Sequence, residues 1–313
     1  MIISASRRTD IPACYSDWFF RRIREGYVCV RNPMNAHQVS RVSLDPSVVD
    51  GIVFWTKNPV PMLPRLDEIK AYPYYFQFTV NPYGRDVERN LPSKKNVIIP
   101  AFQALARKIG PERVLWRYDP ILLTPKHSID WHAQCFEALA KALAGYTRKC
   151  IISFLDLYRS TQRNAGPLGL LPLGPAEMGE IARRFSEIAR KFGLALESCA
   201  EAIDLEAYGI KHGHCVDATL FEALLGCRLD LSKDRNQRRE CGCAASVDIG
   251  MYNTCPNHCL YCYANHSQTA VRQNHALHNP DSPLLSGAIG PEDVVTIREA
   301  ASCKDRQIRL SDL

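Results

Sequence analysis

The chain contains no apolar run that approaches membrane-spanning length, which argues against a helical membrane protein. Its first residues, Met1-Ile-Ile-Ser-Ala-Ser-Arg-Arg-Thr-Asp10, have no long apolar core and meet two arginines at once, so no signal peptide is expected. A dense Lys/Arg stripe with interleaved aromatics is also missing, and the net charge is only +6. The balance permits an anionic small-molecule substrate and does not announce nucleic acid. The basic stretch Lys233–Arg239 reads as a solvated loop. With 46% apolar and 23% charged residues over 313 positions, the composition is that of an ordinary globular protein of one large or two modest domains. A cytoplasmic location with no membrane partner is expected.

What the chain has in quantity is cysteine, 13 in all. In a reducing cytosol, clustered cysteines are more often metal ligands or catalytic groups than a disulfide framework. Cys14, Cys29, Cys135, Cys150 and Cys303 are scattered and read as small buried hydrophobes. The other eight fall between Cys199 and Cys262.

The first two-thirds alternates strands and helices. Runs rich in β-branched and aromatic residues predict strands at 2–6, 52–56, 75–80, 114–118, 150–155 and 194–198. Helical spacing with start and stop signals predicts helices over 15–25, 129–144 (with Asp130 as N-cap) and 176–192. Residues 28–31 and 38–44 flank an Asn-Pro turn and predict a hairpin inserted near 27–44. Near-continuous apolar strands alternating with helices imply a parallel sheet covered by helices. The expected fold is α/β and TIM-barrel-like, complete or partial, over 1–200. A cysteine-rich iron–sulfur segment and a C-terminal tail follow over 201–313. In that segment a helix is expected from Asp217 to Gly226 and a short strand at 247–251. Beyond Asn265 loop is expected, and then a helix over 291–301.

Each strand run turns polar at its end: Ser6-Arg7-Arg8-Thr9-Asp10, Thr56-Lys57-Asn58-Pro59, Asn81-Pro82, Arg117-Tyr118-Asp119-Pro120, Asp156-Leu157-Tyr158-Arg159 and Glu197-Ser198-Cys199. Any one of these is an ordinary strand exit into a loop. Six in succession point to a site, because the C-terminal rim of the strands is where α/β barrels build theirs. Arg7, Arg8, Asp10, Lys57, Asn58, Arg117 and Asp119 are the candidate catalytic or binding residues. Trp55, Trp116 and Trp131 read as packing residues.

The most informative stretch is Cys255-Pro-Asn-His-Cys259-Leu-Tyr-Cys262. Three thiolates from one loop can hold three corners of a [4Fe–4S] cluster and leave one iron without a protein ligand. Cys199, Cys215, Cys241 and Cys243 supply enough thiolates for a second, fully ligated cluster. Cys227 has no evident partner. Zinc is the rival, but structural zinc sites pair Cys-x-x-Cys knuckles at a distance, whereas Cys241 and Cys243 are one residue apart and Cys255 and Cys259 three.

The spacing of Cys255, Cys259 and Cys262, with Tyr261 at the aromatic position, resembles the cluster motif of radical S-adenosylmethionine enzymes. That resemblance implies that the cofactor's amino and carboxylate groups chelate the open iron. An electron, delivered by a reductase, ferredoxin or flavodoxin, then cleaves the sulfonium to a 5′-deoxyadenosyl radical. Over nearly its whole length the chain is also similar to a bacterial family, domain of unknown function 1848. The likeness is carried by Ile3-Ser-Ala-Ser-Arg-Arg-Thr-Asp-Ile-Pro12, Val53-Phe-Trp-Thr-Lys-Asn-Pro59, and Asp248-Ile-Gly-Met-Tyr-Asn-Thr-Cys255 onward through Asn265. That family supplies no established activity.

The chain departs from the radical enzymes twice. Their cysteine triple follows the first barrel strand, and here it follows the sixth strand-like run, which implies a permuted arrangement. Their Gly-Gly-Glu stretch, which receives the cofactor's amino group, is missing here. The rim arginines suit a carboxylate and the rim acids an ammonium in its place. Two expectations stand beside this one: a cluster protein with Lewis-acid, electron-carrying or structural clusters and no radical chemistry, and a binding module with structural zinc.

Overall fold

A computed structural model describes residues 1–305. Residues 306–313 of the expected tail lie outside the described residues. Chain order gives β1 (Ile2–Ala5), α1 (Ile11–Cys14), α2 (Ser16–Glu25), the hairpin β2 (Tyr27–Asn32) and β3 (Asn35–Ser43), β4 (Gly51–Thr56) and β5 (Tyr74–Thr79). Next come α3 (Ile99–Ile109), β6 (Val114–Ile121), α4 (Ile129–Leu143), β7 (Lys149–Phe154), α5 (Arg159–Ala165), α6 (Pro175–Lys191) and β8 (Ala195–Cys199). The cysteine-rich part adds β9 (Lys211–Gly213), α7 (Ala218–Leu225), β10 (Val247–Asp248), α8 (Gln268–Ala276) and β11 (Val294–Ile297).

Eight strands form one parallel sheet in the order β10-β1-β4-β5-β6-β7-β8-β9. Apart from β10, which joins the β1 edge, that order follows the chain without reversal. The fold is therefore α/β with a large parallel sheet. Among the described residues no ladder closes β9 onto β10. Segment 201–313 supplies both edges of this sheet, since β9 pairs with β8 and β10 with β1.

The strands bury alternate residues on two faces, the period-2 signature of a sheet covered on both sides. Outward, Ile52, Phe54, Phe76, Trp116 and Ile152 pack with helix residues Phe19, Phe102, Phe136 and Phe185. Inward, Ile2, Val53, Tyr75, Leu115 and Ile151 pack with Val216, Phe221, Cys215, Cys241 and Cys243. The cysteine-rich segment thus fills the lower part of the inner face. Two residues further along four of these five strands the inner position turns polar, at Ser4, Gln77, Arg117 and Ser153, while β4 has Trp55 there.

Three local expectations need correction. The residues expected as a C-terminal helix over 291–301 contain β11, which pairs in parallel with β3. The β-branched run Val294-Val-Thr-Ile297 favours extended backbone, and the edge of the hairpin offers it a ladder. The stretch after Asn265, expected as loop, contains α8, capped by the Ser267 hydroxyl, which accepts from Ala270 N. Helix α4 is capped by Ser128, whose Oγ accepts from Trp131 N, rather than by Asp130.

Candidate functional site

A cavity of about 630 Å³ opens at the C-terminal end of the parallel strands. All seven clustered candidate cysteines line it: Cys199, Cys215, Cys241, Cys243, Cys255, Cys259 and Cys262. So do six of the seven rim candidates, Arg7, Arg8, Asp10, Lys57, Arg117 and Asp119. Asn58 is the exception; its Oδ1 accepts from Val60 N and closes a local turn.

The loop carrying Cys255, Cys259 and Cys262 follows β10 directly. Asp248 at the end of β10 accepts from Ser4 Oγ, Ser6 Oγ and Arg7 N, at 2.8, 2.6 and 2.8 Å, which ties the loop's start to β1. Gly250 lies so close to β1 that a Cβ there would stand 2.1 Å from Ser6 Oγ. Further on, Cys259 pairs backbone to backbone with Glu88, and Leu260 N donates to Val87 O at 3.0 Å.

Beneath the loop lies a buried ionic network. Glu88 accepts from Lys57 Nζ at 2.9 Å, from Lys94 and from the Tyr261 hydroxyl. Burial pushes the Glu88 carboxyl up, but the two lysines outweigh it and hold it below its ordinary value. Burial likewise opposes charge on Lys57, and Glu88 outweighs that too, so the ammonium is held above its ordinary value. Its ammonium also lies 5.3 Å from the Tyr261 ring centroid. Tyr261 Oη accepts from Asn81 Nδ2 at 3.2 Å, and Asn81 in turn bonds the backbone of Asp119.

Asp10 acts on the same loop. Its carboxylate accepts from Ala13 N, Thr56 Oγ1, Lys57 N and Asn257 Nδ2, at 3.0, 2.8, 2.7 and 3.3 Å. It thus joins α1, the end of β4 and the cysteine loop. Burial raises its pKa to about 6, against these hydrogen bonds. Asp10 and Lys57 are already engaged in holding the rim together.

The four remaining cysteines converge from three parts of the chain. Cys199 Sγ lies 2.9 Å from Cys215 Sγ. The Cys243 sulfur accepts from Cys215 N and Val216 N at 3.2 and 3.4 Å, and Cys241 packs with both cysteines in one buried cluster. Arg117 Nη1 donates to Cys215 Sγ at 2.9 Å, while its other nitrogens bond Asp119. Arg7 reaches Asp234 at 3.5 Å and lies 5.2 Å from the Trp55 ring centroid, but its buried Nη2 has no partner.

The donor set fits iron–sulfur chemistry. The thiols are free, they line one open space, and buried cations stand beside them, as anionic thiolate ligands require. Burial holds the Cys259 and Cys262 thiols up, the latter at about 11, against the pull of the nearby Lys57 ammonium. Among the described residues, no three His, Cys, Asp or Glu side chains form a ready cage for a single metal ion. A cubane is wider than one ion, so its ligands stand further apart than those of a mononuclear site.

Several site residues carried no local signal in the sequence. Glu88 lies in an ordinary polar loop. Cys14, expected as a scattered core residue, is the largest influence on the Cys255 thiol, raising its pKa. Arg238, within the basic loop, pairs with Asp156 at 2.5 Å, and both line the cavity.

Fold and site define an α/β protein whose parallel sheet carries a cysteine-lined cavity at its C-terminal rim. The chain belongs to the family described as Domain of unknown function (DUF1848), whose model matches residues 2–264, a span that includes all seven cavity cysteines. No curated protein and no solved structure matches the chain. Among the described residues no helix is long and apolar enough to cross a membrane.

Proposed function

We propose that the protein is an iron–sulfur enzyme of the cytoplasm that binds a [4Fe–4S] cluster at Cys255, Cys259 and Cys262 and acts on a small molecule through S-adenosylmethionine. We read its sheet as a partial TIM-type barrel with the cysteine loop in a permuted position. The observation that carries the proposal is the placement of the three thiols, with Arg7, Arg8 and Asp119, around one cavity of about 630 Å³. That volume suits a cofactor and a substrate together. Bound there, the cluster supplies the electron, received from a ferredoxin, flavodoxin or reductase, that cleaves the cofactor's sulfonium.

The chain's own residues bind and orient. The Arg8 guanidinium lies 4.0 Å from Asp248 and over the Tyr252 ring, and among the described residues Arg7 keeps one unpartnered nitrogen, so both have capacity for a carboxylate. Asp119, at the cavity wall, suits an ammonium. Asp10, Lys57, Glu88 and Tyr261 hold the cysteine loop in place and act as positioning residues.

The test is anaerobic reconstitution followed by dithionite and S-adenosylmethionine. The expected product is 5′-deoxyadenosine, well above the level formed by Cys255→Ala. Equal yields from the two proteins would sink the proposal. A second reading has the Cys14 thiol, the largest influence on Cys255, complete the ligand set, so that the cluster only carries electrons. In that case S-adenosylmethionine leaves the wild-type cluster spectrum unchanged and perturbs it in Cys14→Ala.

A further inference from the structure

We propose that Cys199, Cys215, Cys241 and Cys243 hold a second iron–sulfur cluster, a [4Fe–4S] centre with a thiolate on every iron. It lies at the β8–β9 side of the same cavity. The inference goes beyond the function proposed above and does not depend on S-adenosylmethionine.

Four observations carry it. First, the thiols gather: the Cys199 and Cys215 sulfurs are 2.9 Å apart, Cys243 Sγ accepts from Cys215 N at 3.2 Å, and Cys241 packs in the same buried cluster and lines the same cavity. To sit on separate irons, the first two thiols must part by side-chain rotation. The end of β8, the loop after β9 and the loop before β10 bring them there from separate stretches of chain. Second, the sulfurs are treated as acceptors. Two backbone amides point at Cys243 Sγ, and a guanidinium points at Cys215 Sγ. Amide and guanidinium donors to sulfur are the bonds that hold and tune protein-bound clusters.

Third, a buried cluster with four thiolates carries net negative charge, and such charge needs cations beside it. Arg117 is fully engaged on the protein side, and Arg7 lines the same cavity with a buried nitrogen that has no partner among the described residues. Cysteines buried as small hydrophobes need no such company. Fourth, Gly242 between Cys241 and Cys243 has no room for a side chain, because a Cβ would stand 2.1 Å from the His214 ring. The turn that presents these two thiols is therefore locked against the segment carrying Cys215.

Zinc fits this group less well. The cysteines lack paired Cys-x-x-Cys knuckles. They also line an open cavity and do not enclose a single-ion cage among the described residues.

The deciding protein is the triple variant Cys255→Ala/Cys259→Ala/Cys262→Ala, purified anaerobically and reconstituted with ferrous iron and sulfide. It is expected to keep roughly four irons and four acid-labile sulfides per chain. Dithionite is expected to produce a cluster signal in electron paramagnetic resonance. Adding Cys199→Ser and Cys215→Ser removes both. In the otherwise wild-type chain the same serine pair lowers the iron count from about eight to about four. A triple variant with wild-type circular dichroism that holds no sulfide-bearing iron overturns the proposal, and so does one that holds zinc without sulfide. Should the triple variant not fold, an undiminished iron count in the folded serine pair overturns it. Failure to form 5′-deoxyadenosine would leave these counts untouched, so the two proposals fail separately.

Discussion

Glu88 shows what a single residue hides in a sequence. It stands in a polar stretch with no motif around it, yet it is fully buried and pairs with two lysines beneath the cysteine loop. Lys57 was legible because it follows a strand, and Arg117 and Asp119 because they alternate inward at the end of one. Glu88 was not, since its partners come from distant segments and long-range ion pairing has no period. His132 is similar: it reads as part of a helix, and the structure buries it completely. Its Nε2–H donates to Leu122 O at 2.9 Å, and its Nδ1 accepts from the Tyr118 hydroxyl at 2.7 Å. Burial lowers its pKa to about 4. The folded state therefore refuses a proton that the unfolded state takes up below about 6.5. The contribution of His132 is complete above that pH and is lost progressively as pH falls toward 4, by something on the order of 3 kcal/mol. Urea unfolding at pH 7.5 and 4.5 should show a larger loss in wild type than in His132→Gln. Equal losses in the two proteins would remove His132 as the cause.

Among the elements, the strands and the site were the most legible parts. The central parallel strands β1, β4, β5, β6 and β7 are short β-branched or aromatic runs, and all but β4 end where their inward positions turn polar. Helix α3 left a readable trace in the helical spacing of Ala101, Phe102, Leu105 and Ala106, next to more conspicuous strands. Strand β11 was misread because a charged stretch resembles a helix until a ladder partner is present, and its partner lies in the hairpin far back in the chain. The junction from β10 to the cysteine loop carried part of the family likeness, but nothing in it showed that Gly250 packs against β1. Gly250→Ala would drive a methyl into Ser6 Oγ and against Thr9 Cγ2. Overpacking of this kind costs roughly 1–3 kcal/mol and here must push the loop away from β1. The variant is expected to melt lower and to lose the iron held by Cys255, Cys259 and Cys262 while keeping that held by the other four cysteines. Full retention of both would show that the loop's seat on β1 does not matter for loading.

On the scale of the molecule, the sheet separates two regimes. Its outer face is an apolar layer of α2, α3, α4 and α6 whose aromatic residues stack on the strands. That layer needs no metal. The inner face is covered by the segment that carries the cysteines, and part of its packing is made by Cys215, Cys241 and Cys243 themselves. The upper part of that face is open cavity, ringed by Arg7, Arg8, Arg117 and Lys57. Ligands that bind only the folded chain stabilise it by mass action, and the gain falls where their contacts are. Hydrogen exchange measured before and after anaerobic reconstitution should therefore show protection rising over residues 199–264 and at the rim stretches 6–10 and 81–90. Helices α2, α4 and α6 should exchange alike in both forms. Chelation should reverse the change in the same places. A uniform rise across the outer helices would mean that metal acts on global folding and not on a cavity-lining layer, and no rise at all would argue against any metal at these cysteines.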